Sequence, residues 1–95
     1  MLEYLKSQIT EEIEGALDYM SKAVEYKTKS WGQYFYNMSM MELEHANCLT
    51  KMFIAEEKPA EMTDSAYAQL QKVVLDSYSI GMNKLEAMKK LYWNV

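Results

Sequence analysis

Three residues of this 95-residue chain have types and spacing that could hold a metal ion: Glu12, and the pair Glu42 and His45. Residues three apart on a helix leave the same face one turn from each other, so Glu42 and His45 aim a carboxylate and an imidazole at one place. Carboxylate and imidazole donors without a thiolate suit iron or manganese, with zinc also accommodated. The spacing alone is unspecific, because 11 of the 95 residues are Glu. Direction is what gives it weight.

Helices turn about 100° per residue, which sorts the acids by face. With Glu12 as the origin, Leu5, Tyr19 and Ala23 fall within about 20°, Ala16 within about 40° and Ile9 within about 60°. Glu3, Glu11, Glu14, Asp18 and Glu25 all lie about 100° or more away. On the next helix Trp31, Phe35, Leu49 and Phe53 fall within about 20° of Glu42, and Ala46 about 40° away. Glu12 and Glu42 are thus expected inside the apolar stripes, at levels that differ by only about 4–5 Å along the hairpin. A buried carboxylate costs several kcal/mol unless paired, protonated or metal-bound. Neither stripe offers a lysine near its centre. A metal ion is the expected counter-charge, and the bland alternative is an interface carboxylate beside a satisfied core histidine.

The elements that position these groups are read from periodicity and punctuation. One Pro and three Gly leave little turn chemistry, and Glu, Lys, Leu, Met and Ala favour helix. The first helix is predicted from about Leu2 to about Lys27, with Leu5, Ile9, Ala16 and Ala23 recurring at steps of four and seven. Ser30 and Gln33 read as a capping box that starts a second helix near Trp31. Lys58-Pro59 ends it near Glu57. Thr63 or Asp64 caps a third helix that runs to the end, carrying Leu70, Val74, Leu85, Met88 and Tyr92 on one face. A short first loop makes the first two helices antiparallel neighbours. The expected fold is all-α, one domain over 1–95: a helical hairpin plus a third helix, with the bundle completed by dimerisation. Eight Tyr and nine Met are more than one slim bundle buries.

Composition excludes other classes. The net charge of -4, with ten lysines and no arginine, disfavours nucleic acid. No apolar run approaches the ~20 residues of a membrane span, and no secretory signal is expected. The single Cys48 permits no intrachain disulfide, so a reducing cytoplasm is expected. Cys48 lies one turn from His45, yet a lone helical Cys is more often a small core residue than a nucleophile.

The residues quoted resemble the ferritin-like diiron family, the ferritins, bacterioferritins and rubrerythrins. Glu12 with Tyr19 two turns later, followed by Glu42-Leu43-Glu44-His45, matches that family's first two helices over roughly residues 8 to 57. The resemblance implies Glu12 and His45 as terminal ligands, Glu42 as a bridge, and Tyr19 as the candidate catalytic residue beside them. The second half departs from the family, whose members carry another Glu on a third helix and a second Glu-x-x-His on a fourth. Here Glu86 is followed at the His position by Lys89, and Asp76 is only an edge candidate, expected to be solvated. The short encapsulated ferritins, which build their site across a subunit interface, are the more similar group. By that resemblance a two-fold homodimer joins two sets of Glu12, Glu42 and His45 around two iron ions. The implied function is oxidation of Fe(II) by O2 or peroxide, a ferroxidase or rubrerythrin-like oxidoreductase serving iron storage or peroxide detoxification. The rival is a helical scaffold or interaction protein with a degenerate or purely structural metal site, and the missing fourth helix favours it.

Overall fold

The structure is a computed structural model and describes residues 1–94. Three helices make up the fold: α1 (Leu2–Glu25), α2 (Ser30–Ala55) and α3 (Asp64–Trp93), with no strand among the described residues. The all-α expectation holds, and each helix lies within about two residues of its predicted range. The molecule is a slim rod, 52 × 18 × 15 Å.

Helices α1 and α2 run antiparallel, and α3 runs parallel to α1, so three faces meet along one axis. At one end Leu2, Leu5, Ile9 and Ile13 pack with Ala46, Phe53 and Val74. Toward the other end Ala16, Met20 and Ala23 pack with Leu85. Each such side chain taken from water contributes roughly 1.5–3 kcal/mol if it is as large as Leu or Phe.

The α1–α2 seam is lined by small residues. Gly32, Ser39 and Ala46 recur every seven residues on α2 and are buried, ending at Phe53. They face Ala16 and Ala23 of α1, both fully buried. Ser39 donates its hydroxyl across the seam to the Ala16 carbonyl at 2.6 Å. Tyrosine hydroxyls tie α3 on: Tyr78 donates to Asn47 Oδ1, and Tyr67 to the Glu56 carbonyl at 2.5 Å. At the far end Tyr36, Tyr92 and Trp93 stack with centroids 4.7–5.3 Å apart. There Lys27 Nζ donates to the Leu91 and Asn94 carbonyls at 3.1 and 2.7 Å, satisfying acceptors that a helix C-terminus leaves open.

Two caps were expected and one forms. Thr63 Oγ1 accepts from the Ala66 N–H at 3.1 Å. The Ser30–Gln33 capping box does not form: Lys29 is the N-cap, Ser30 is already helical, and no side chain caps α2. The backbone has taken the role. Gly32 N–H donates to the Lys29 carbonyl at 3.0 Å, and a Cβ on Gly32 would collide with the Tyr26 backbone. The chain turns too tightly there for a side-chain cap.

The seam gives a stability prediction. Ser39→Ala removes one bond and leaves no orphaned donor, so it should cost about 0.5–1.5 kcal/mol. Ser39→Val adds volume against Ala16 and should cost about 1–3 kcal/mol on top of the lost bond. Urea denaturation ranks the two, and a Val variant as stable as the Ala variant would mean that the seam is loose.

Candidate metal centre

The same seven-residue spacing that buries Gly32, Ser39 and Ala46 places the site one row further round. On α2 the row Phe35, Glu42, Leu49, Glu56 is half-buried, and the row Trp31, Met38, His45, Met52 beside it is exposed. On α1 the row containing Glu12 and Tyr19 is half-buried next to the buried Leu2, Ile9, Ala16, Ala23 row. Glu12, Glu42 and His45 therefore meet on the edge of the seam turned away from α3.

There the three converge. Each offers one ligand atom, and these atoms lie within 4.8 Å of one another. No other group of three acids, histidines or cysteines does so among the described residues. His45 Nδ1 is 3.4 Å from Glu12 Oε2, a pairing distance without hydrogen-bond alignment. Glu12 Oε2 is buried and has no hydrogen-bond partner. An unbonded buried carboxylate oxygen is costly, and a cation would satisfy it. The Glu42 carboxyl is pushed above the usual carboxylate range. A proton shared with the Glu12 carboxyl is the main cause, then burial, then the Glu12 charge, with His45 partly opposing them, so Glu12 lacks a hydrogen bond only when both carboxyls are ionised. The donor set is hard and borderline, two carboxylates and an imidazole, which fits a divalent first-row metal.

Burial corrects the sequence reading in one respect. Glu12 and Glu42 do not sit at the centre of their buried faces: the Glu12 side chain keeps 21% of its surface exposed and that of His45 keeps 55%. Packing of α3 over one side of the hairpin is the reason. It draws the buried sector toward Ile13 and Met20 on α1 and leaves the opposite edge of the seam open. Trp31, expected in the α2 stripe, is 57% exposed for the same reason.

Other expectations can be placed. Tyr19 is half-buried, its ring stacked on Phe35 at 6.3 Å. Asp76 pairs with Lys72 at 2.6 Å on the surface, and Glu86 with Lys89 at 3.3 Å, so neither joins the cluster. Cys48 is exposed rather than in the core. No helix of the described residues is long and apolar enough to cross a membrane.

No protein-family model matches the chain, and neither the curated proteins nor the solved structures include a match. The ferritin-like resemblance therefore rests on the residues themselves.

The raised Glu42 value has a consequence for stability. An acid that holds its proton more tightly when folded contributes stability below its ordinary value and loses it as pH rises through the folded one. For the metal-free chain the Glu42 contribution should fade as pH rises from about 4.5 upward. Glu42→Gln, neutral throughout, should raise Tm at neutral pH, with the advantage shrinking as pH falls. Thermal melts across that range check it, and a variant less stable than wild type at neutral pH would contradict it.

Proposed function

We propose that this chain is a non-haem iron protein of ferritin-like type. Glu12, Glu42 and His45 hold iron, and a second copy brings the same three residues to a shared two-iron site. The convergence of the three ligand atoms around the unbonded, buried Glu12 Oε2 carries this reading. Iron supplies one-electron redox chemistry and affinity for O2 or peroxide when bound there.

The residues themselves prepare the site for a cation. Glu42, whose carboxyl holds its proton more tightly than an ordinary one, offers a second anionic oxygen donor once ionised. Glu12, already buried, exchanges an unsatisfied oxygen for a charge-neutralising contact. His45, the most exposed of the three, offers a neutral nitrogen from the solvent side. Together two carboxylates offset the charge of one divalent ion. As substrate, Fe(II) leaves as Fe(III), with O2 or peroxide the oxidant. Tyr19 lies two turns from Glu12 on the same row, its ring packed on Phe35.

What supports a second copy is the face around the ligands. Trp31, Met38, His45 and Met52 form an exposed line at seven-residue spacing, with Trp31 at 57% and Met52 at 52% exposed. A seven-residue repeat keeps a stripe in register along a partner helix. One chain offers three ligands where a two-metal bundle site uses about six, so a two-fold pairing completes the set.

The test combines binding, oxidation and assembly. Fe(II) added in air should give ferric absorbance faster than buffer, and the Glu42→Ala, His45→Ala double variant should lose both the rate and the bound iron. Light scattering should show a dimer that chelator weakens, because ions that bind only the assembled state favour it by mass action. Rates equal to buffer would favour the scaffold reading, and a monomer that binds two irons tightly would rule out the shared site.

A further inference from the structure

Three glycines interrupt helices α1, α2 and α3, and none has a positive φ. Conformational freedom does not explain them, and glycine is less favourable than alanine in a helix interior. Space must be the reason, and it differs at each. At Gly32 the obstacle to a Cβ is the backbone of Tyr26 and Lys27, and at Gly81 it is the Ile13 side chain. Those two serve the turn and the core.

Gly15 is different. The three atoms nearest an added Cβ all belong to Glu42: Oε2 at 2.9 Å, Cδ at 3.4 Å and Cγ at 3.6 Å. Gly15 sits one turn from Glu12 on α1, at the edge of the seam. The Glu42 side chain, leaving α2, lies across the bare backbone of Gly15 and so reaches Glu12. We propose that Gly15 is a positioning residue, whose missing side chain leaves the berth in which the Glu42 carboxylate meets Glu12 and His45. Its purpose rests on the metal reading above; its contact rests on the geometry alone.

The berth explains a placement that is otherwise unfavourable twice over. A helix-weakening glycine stands mid-helix, and a carboxylate lies against another carboxylate instead of in water. With alanine at position 15, the flexible end of the Glu42 side chain must move off its present place beside Glu12. His45 and Glu12 keep their places. The third donor is displaced from the point where the other two meet.

Two measurements on the full chain test this. In the metal-free chain, Gly15→Ala should raise Tm in a Glu42→Ala background, where the berth is empty and only helix preference acts. In the wild-type background that gain should be lost or reversed. Equal gains in both backgrounds would overturn the contact. With Co(II) as the probe, Gly15→Ala should weaken binding by about ten- to a hundred-fold, the scale for residues that orient a ligand. Unchanged Co(II) affinity in Gly15→Ala would overturn the positioning role. A wild-type chain that binds no Co(II) would defeat the metal reading instead, and the metal-free comparison would still decide whether Gly15 makes room for Glu42.

Discussion

Ser39 can donate its hydroxyl to the Ala16 carbonyl only because two helix backbones run close together. The small residues of the seam, Ala16 and Ala23 against Gly32, Ser39 and Ala46, permit that approach. Everything beside the seam inherits it. Long side chains in the neighbouring rows cannot pass each other without touching, so Glu12 and Glu42 are brought together, with the Glu42 carboxylate lying over Gly15. A wider hairpin packed on leucines would let both carboxylates turn to water. The acid pair is a consequence of the helix approach, and the approach is fixed by residues that carry no charge.

The fold tolerates this conflict because its stability comes from elsewhere. Leu5, Ile9, Met20, Phe53 and Leu85 are fully buried, and each adds roughly 1.5–3 kcal/mol, enough to hold one unsatisfied oxygen in place. Conflicts between local preference and global fold tend to collect at functional sites. Here a mid-helix glycine, an orphaned carboxylate oxygen and a carboxyl with a raised proton affinity occur within one turn of each other. Nothing else among the described residues combines them. A cation bound there would relieve the two carboxyl features, and the glycine leaves room for the carboxylate that would hold it.

The elements, and the convergence of Glu12, Glu42 and His45, are legible in the sequence because periodicity and proline placement act locally. Thr63 capped as expected for the same reason. The capping box at Ser30 was not legible: whether a side chain or the backbone satisfies the first N–H groups depends on how tightly the chain returns from Tyr26. The buried sector is centred about 60° of helix rotation from Glu12 and Glu42, whereas a helical wheel centres the stripe on the apolar average. It has no knowledge of where α3 will lie. Ser39 and Gly15 escaped notice as well. Gly32, Ser39 and Ala46 at seven-residue spacing were a readable sign of a close seam, whereas the partner of Gly15 lies on another helix and leaves no mark in local sequence.

The two sides of the hairpin differ in how completely their polar and aromatic groups are used. Toward α3, Tyr78 finds Asn47, Tyr67 finds the Glu56 carbonyl, and Trp93 Nε1 donates to the Tyr36 hydroxyl at 3.3 Å. Aromatic rings on that side stack with one another, and their polar ends are satisfied. Away from α3, Trp31, Tyr34, Met41 and Met52 are each more than half exposed and flank the half-buried acid pair. Scattered exposed apolar groups are ordinary, but a cluster of them on one side of α2 around a buried unsatisfied oxygen is not. A partner that covered the cluster without a charge to offer would seal the acids in and worsen their position. A second copy of the same face, admitting cations between the two sets of ligands, covers the apolar cluster and neutralises the acids in one step. The proposed site and the proposed interface share this face, and a second copy would serve both.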